Sequence, residues 1–385
     1  MAKIQTFNKI AKVGLDLISS YDISEDHKDP DGIILRSYKL HDMEFGANLK
    51  AIARAGAGTN NIPVDKCAEQ GIVVFNTPGA NANGVKELVI TGLLLSSRKI
   101  IDGINWAKSL VGSGEDVPKA IEKGKSNYKG PELKGKKLGV LGLGAIGVMV
   151  ANAALGLDMD VVGFDPFLTV KSALGLSRSV KQTTDINTIF TECDYISINV
   201  PLNDNTRGMI NKEIFGKMKD GVRIVNFSRA AIVDSAALKE ALESGKCASY
   251  VTDFPDEEVL KMPNTIGIPH LGASTPESED NCAIMAAEEM KEYLENGNII
   301  NSVNYPEAVL PKNDGTRLTI LHKNIPNMVG QISTQLANEK INIDDMLNKS
   351  KGGFAYTIID VAGNISDSTK SALEKIDGVI KVRVI

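Results

Sequence analysis

Three polar residues stand just beyond apolar stretches late in the sequence: Arg229 after RIVNFS, Glu257 after YVTDFP, and His270 closing TIGIPH. If those stretches are strands of an open parallel sheet, all three lie at its carboxyl edge, where such sheets bind ligands. Together they hold what hydride transfer at a 2-hydroxy acid requires. As hydride leaves the carbinol carbon the hydroxyl proton must go, and imidazole, a group that titrates near neutrality, is suited to take it. A neighbouring carboxylate orients such a ring and stabilises its charged form, the role predicted for Glu257, with Glu258 as the adjacent alternative. The planar fork of Arg229 can hold a substrate carboxylate and polarise the forming carbonyl. The redox step itself belongs to a cofactor.

A place for that cofactor is legible at GLGAIG, Gly142 to Gly147, between the strand-like KKLGVLG and the apolar VMVANAALGL. A GxGxxG run means little alone and much more between a strand and a helix. Gly142 allows a tight turn, Gly144 a close approach of pyrophosphate to the backbone, and Gly147 close packing of helix on strand, with Ala145 and Ile146 between them. Oriented amides at the helix start would face the anion. Further on, MDVVGFD ends in Asp165, whose carboxylate can accept from both ribose hydroxyls and would repel a 2'-phosphate, so NAD is expected over NADP.

These residues need a frame. From 32 to 100 the segments GIILRS, LKAIARAG, GIVVFNTPG and KELVITGLLLSSRKI give a β/α rhythm, repeated from 136 to 270. Two doubly wound parallel-sheet domains are predicted. STPESEDNCAIMAAEEMKEYLENG reads as a long helix over 276–296, and NIINSVNYPEAVLPKNDGT, with two prolines, as a linker. The last 70 residues follow a βαββαβ order, a ferredoxin-like module. At 385 residues the chain is long enough for two or three such cores.

Composition narrows the partners. With 43 Lys and Arg against 48 Asp and Glu, net charge is -5, so nucleic acid and anionic membranes are not expected partners. Cys67, Cys193, Cys247 and Cys282 form no CxxC pair, and the four histidines have no metal-ligand spacing, so neither a disulfide framework nor a metal is expected. The N-terminal stretch lacks the apolar run of a signal or membrane segment, and a cytoplasmic protein is expected.

Several segments, taken in order, resemble the D-isomer-specific 2-hydroxyacid dehydrogenase family, and most of all its branch acting on phosphoglycerate. They are RAGAGTNNIPVDKCAEQGIVVFNTPGANANGVKEL, KGKKLGVLGLGAIG, INVPLNDNTRGMI, NFSRAAIVD and IPHLGAST. The resemblance implies a Rossmann NAD domain over 98–280 and a flavodoxin-like substrate domain from 1–97 and 281–310, closing on the cofactor. It implies that Arg229, Glu257 and His270 are the active-site residues. Asp253 is expected to contact the nicotinamide amide, because relatives have Asp-Val-Phe where this chain has Thr252, Asp253 and Phe254. Val200, Pro201, Phe227, Ser228 and Gly272 are expected along the cofactor, and Asn199 stands where relatives often have His. The RAGAG loop, with Arg54, Gly56, Ala57 and Gly58, and Asn81 are implied to bind the substrate carboxylate; Arg36, then Arg54, and more weakly Lys39, would take a phosphate.

The implied reaction is oxidation of 3-phospho-D-glycerate with NAD, the entry to serine synthesis. Rivals are reduction of hydroxypyruvate, glyoxylate, lactate-type or 2-ketoglutarate substrates, and a non-catalytic NAD-sensing protein. Residues 316–385 resemble an ACT domain, which implies at least a homodimer, dimer or tetramer, and L-serine as an effector at His322, Asn324 and Asn342. Polar loop residues also serve as helix caps, so that last assignment competes with a structural one.

Overall fold

The structure, a computed structural model, describes residues 1–114 and 116–385. The chain divides into two compact units, Met1–Asn81 with Pro276–Ile385, and Ala82–Thr275. The first unit holds five parallel strands, β1 (Lys3–Phe7), β2 (Asp22–Ser24), β3 (Gly32–Leu35), β4 (Ala51–Arg54) and β5 (Val73–Asn76), in the order β2-β1-β3-β4-β5. That is the flavodoxin-like order. β3 is apolar along its whole length because both faces of the sheet are covered.

The predicted long helix is present as Pro276–Asn296 and packs on this sheet. Its buried stripe is built of small residues, Cys282, Ala283, Ala286 and Ala287, so the helix Lys12–Asp16 can cross it closely. A Cβ on Gly14 would stand 2.5 Å from the Ala283 carbonyl, and only glycine fits there.

The second unit has seven parallel strands: β6 (Lys137–Leu141), β7 (Asp160–Phe164), β8 (Lys181–Gln182), β9 (Tyr195–Ile198), β10 (Val222–Asn226), β11 (Cys247–Thr252) and β12 (Thr265–Gly267). Their order, β12-β11-β10-β9-β6-β7-β8, reverses direction between β6 and β9. A crevice at the carboxyl end of that switch point is where a dinucleotide fits. The helix Ala82–Ser97, placed by the sequence with the substrate domain, belongs here instead. Its Val85, Val89 and Leu93 are buried with Val140, Val225 and Phe227, and Gly92 lets it press onto β10.

The final residues form β13 (Thr316–Lys323), β14 (Ile343–Lys351), β15 (Phe354–Val361) and β16 (Val379–Val384), antiparallel in the order β14-β15-β13-β16, with helices Met328–Asn338 and Asp367–Glu374. This is the predicted βαββαβ module. Leu318, Ile320, Ile359 and Val382 meet Ile332, Leu336 and Leu373 on its helical side. The opposite face is not open: Leu321, Tyr356 and Ile358 share a core with Met290 and Tyr293 of the long helix.

The stretch read as a linker is also structural. Ile299, Tyr305 and Ala308 are buried, and Asn304 exchanges hydrogen bonds with the backbone of Val74 and Ile72. Its low periodicity reflects an irregular path, held by side-chain hydrogen bonds in place of a ladder. All four cysteines are buried, and burial pushes the Cys67, Cys193 and Cys247 thiols up to about 12.

Candidate active site

In the second unit, β6 runs into Gly142, whose φ of 88° suits glycine alone, since a Cβ there would sit 2.7 Å from the Asn199 carbonyl. The helix Ala145–Leu155 starts directly after Gly144, with Ala145 exposed and Ile146 half-buried at its first turn. Gly147 packs so tightly that a Cβ would overlap the Gly142 carbonyl oxygen, whereas a Cβ on Gly144 would point into open space. Asp165 lies beside this loop, its carboxylate accepting from the amides of Leu143 and Phe167, each at 2.8 Å. Two of the glycines are thus required by the fold, and Gly144 is not. Gly144→Val is accordingly expected to leave the melting temperature unchanged while weakening NADH binding by roughly tenfold or more, the effect of blocking backbone approach to the pyrophosphate. Fluorescence titration beside a thermal melt checks it.

The catalytic edge gathers around Phe254. The Arg229 guanidinium stacks 5.3 Å from that ring's centre, and the His270 ring lies 4.4 Å from it on a tilted contact. Both polar side chains are exposed at the sheet's carboxyl edge. His270 is held by its amide to the Asp253 carbonyl at 3.1 Å, at a φ of 23°, a strained backbone for an L-residue. Arg229 is set by Asn226, whose Nδ2 donates to its carbonyl at 3.0 Å and whose Oδ1 accepts from the Ser228 amide. The sequence marks Phe254 only as part of the triplet around Asp253 and does not mark Asn226, although an Asn interrupting the apolar run RIVNFS is a signal in itself.

The acid beside His270 is Asp253, not Glu257. Asp253 is 2 % exposed; burial raises its carboxyl above the usual range, against the pull of His270 and of the Gly272 amide. Its Oδ1 is buried with no hydrogen-bond partner among the described residues. Glu257 opens the helix Glu257–Lys261, capped by Asp256, and points to solvent with its carboxylate 2.8 Å from Lys261. Glu258 pairs with the same lysine. The cap fixes the helix start, which turns both glutamates outward.

Other expected cofactor contacts are placed variously. Val200 borders Gly142, and Pro201 is exposed next to it. Gly272 is buried, a Cβ there falling 3.2 Å from Asp253 Oδ2. Ser228 donates to the Ile198 carbonyl, and Thr252 accepts from the Phe254 amide, so both brace strand ends. The Phe227 side chain is in the core under Gly92, which leaves only its backbone for a ligand. Asn199 bonds back to Ser197.

The first unit carries a separate set. Arg54 ends β4 and donates from Nε to the Arg36 carbonyl at 3.0 Å; Asn61 donates to the same carbonyl. Gly56 lies against the Arg54 guanidinium at a φ of 149°. Its carbonyl accepts from the Thr77 amide, and Asn76 reaches the Ala57 carbonyl at 2.5 Å, tying the RAGAG loop through Gly58 to the segment that ends at Asn81. The Arg36 guanidinium pairs with Glu279 of the long helix at 2.6 Å. Lys39 is exposed.

In the terminal module His322 is 2 % exposed and saturated, with Nδ1 2.8 Å from the Lys323 carbonyl and Nε2 2.9 Å from Thr357 Oγ1. Asn324 donates to the Gly352 carbonyl. Asn342 precedes Ile343, which pairs with Val361, whereas His322 pairs with Ala355, so the two are on the order of 20 Å apart along the strands. One chain does not bring the three together.

The sheet orders, glycine turn and catalytic edge define a dinucleotide-dependent oxidoreductase, and comparison with known proteins gives the family. Residues 94–272 match the D-isomer specific 2-hydroxyacid dehydrogenase, NAD binding domain family. A D-3-phosphoglycerate dehydrogenase of Haemophilus influenzae is 30% identical over 374 residues, 92% of this chain and 86% of that protein. A hydroxypyruvate reductase of Thermotoga maritima is 40% identical over 257 residues, covering 64% of this chain and 78% of that one. The structure of an NAD+-bound 3-phosphoglycerate dehydrogenase from Entamoeba histolytica superposes with a TM-score of 0.62 at 29% identity, covering 79% of this chain and 98% of the other. The chain belongs to the D-isomer-specific 2-hydroxyacid dehydrogenases, and it is an NAD-dependent enzyme. The residues present fit that cofactor: an open approach at Gly144, a carboxylate at Asp165 beside the glycine turn, and a buried acceptor oxygen on Asp253 without a donor among the described residues.

Proposed function

We propose that the protein oxidises 3-phospho-D-glycerate to 3-phosphohydroxypyruvate. The observation that carries this reading is the paired arginines at the carboxyl ends of β3 and β4, Arg36 and Arg54, in a chain whose full-length relatives include phosphoglycerate dehydrogenases. Two guanidinium groups at neighbouring strand ends suit the phosphate of a substrate whose carboxylate is held elsewhere.

NAD supplies the hydride acceptor. His270 takes the hydroxyl proton as the carbinol carbon is oxidised, so that one substrate yields one keto acid, one reduced nicotinamide and one proton. Arg229 holds the carboxylate beside the reacting carbon and polarises the forming carbonyl. Asp253, desolvated and facing both groups, stabilises the protonated imidazole and offers Oδ1 to a donor on the cofactor. Asp165 would hold the adenine ribose of the bound cofactor. The backbone of the RAGAG loop presents amides to the substrate.

Hydroxypyruvate reduction is the second reading, supported by the Thermotoga relative. Arg36→Ala separates them. It is expected to raise KM for phosphoglycerate by roughly 10- to 100-fold, the loss of a charge-assisted hydrogen bond, with kcat/KM for hydroxypyruvate little changed. Equal losses on both substrates, or wild-type turnover of hydroxypyruvate alone, would overturn the phosphoglycerate assignment.

A further inference from the structure

The reaction leaves unused a cleft of about 450 Å³ in the first unit, where the terminal module meets the loop entering β4. Asn48, Lys50, Lys370, Glu374, Lys381 and Arg383 line it. Lys381 and Arg383 sit two apart on β16 and so share one face of the strand. Lys381 Nζ donates to the Leu49 carbonyl at 2.6 Å, and Arg383 donates to the carbonyls of Tyr293 and Leu294 at 3.2 and 3.0 Å. Among the described residues neither is ion-paired, with a side-chain carboxylate or a chain end, whereas Lys50 has Asp31 and Lys370 has Glu374 at 3.7 Å.

Carbonyl dipoles solvate a cation without cancelling its charge. Burial, and then the charges of Arg383 and Lys50, pull the Lys381 ammonium down to about 8. Like charges gathered in a cleft cost free energy that a bound anion would return. Lys370 and its mate Glu374 are both exposed and 3.7 Å apart, so a ligand can share that lysine.

We propose that this cleft is a second anion site, separate from the catalytic groups, which takes a small oxyanion of two or more negative charges, a phosphate or a polycarboxylate, between Lys381, Arg383 and Lys370. All three cations belong to the terminal module, so the bound anion stabilises that module, and Lys50 is the one cation that faces it from the loop entering β4. This does not depend on which hydroxy acid is the substrate.

The test uses the full chain carrying Arg36→Ala, which weakens the phosphate position proposed for substrate, and the cleft variants separate what Arg54 still binds from what the cleft binds. Inorganic phosphate and, separately, citrate are titrated by calorimetry and by thermal melts, against potassium chloride of equal ionic strength. A saturable rise in melting temperature with phosphate or citrate, beyond chloride, is expected, and the better of the two identifies the ligand class. Lys381→Met combined with Lys370→Gln should weaken that binding by about tenfold or more, two charge-assisted contacts being lost. Should the double variant fold poorly, Lys370→Gln alone, which disturbs only a surface pair, gives the same reading with a smaller shift. Equal effects of chloride, no saturable binding by either anion, or undiminished affinity in the variants overturns the site.

Discussion

Replacing His270 by asparagine is expected to lower kcat by roughly 10²- to 10⁴-fold, the usual contribution of a positioned general base, with NADH affinity unchanged. Asparagine is chosen because it tolerates a positive φ better than other residues, so the 23° backbone at this position survives. The lost quantity is then the proton acceptor alone. A companion pair sharpens the reading. Asp253→Asn should reduce both turnover and NADH affinity, because one carboxylate serves the imidazole and the cofactor, whereas Glu257→Gln should do neither, because Glu257 is occupied with Lys261 at the surface. Steady-state rates beside NADH fluorescence titrations decide. If Glu257→Gln is the damaging change, the assignment of Asp253 is wrong. If the wild-type chain binds NADH and turns over no 2-hydroxy or 2-oxo acid, the catalytic reading itself gives way to an NAD-sensing one.

Much of this frame was legible in the sequence because it rests on local signals. A glycine turn between an apolar strand and an apolar helix, an acid at the next strand end, and an arginine and a histidine after later strands are short-range patterns, and the structure places each at the sheet's carboxyl edge. The long helix and the βαββαβ order declared themselves by periodicity. What escaped depends on register or on distance. Choosing between Asp253 and Glu257 needs the position at which β11 ends and a helix begins, and the cap at Asp256 sets it. β1 and β2 went unassigned because KIQTF and DIS are short and partly polar. The Arg36–Glu279 pair joins residues from opposite ends of the chain that only the returning helix brings together. The helix Ala82–Ser97 changes units for a similar reason: it is packing against the distant β10 that decides where its apolar face is buried.

Arg317 shows the same point in energetic form, since nothing near it in sequence marks it as the tie that seats the terminal module. It is fully buried, and all five of its N–H groups are used. Nε and Nη2 hold Asp360 at 2.7 Å each, while Nη1 and Nη2 reach the carbonyls of Asn296, Leu310 and Pro311. It therefore joins β15 to the end of the long helix and to the irregular segment after it. Arg317→Met is expected to cost about 3–5 kcal/mol in denaturant unfolding, because Asp360 is left as a buried charge without its partner. Removing that charge as well, with Asp360→Leu, should recover only part of the loss. The desolvated carboxylate is then gone, but three carbonyls still lack donors, each worth about 1–3 kcal/mol when buried and unsatisfied. The shortfall between single and double variants measures the carbonyl contacts, and with them how firmly the module is bound to the long helix and the segment that follows it. Full recovery would mean that the carbonyls find water, and that the shared apolar core around Tyr293 and Tyr356 holds the module without this clasp.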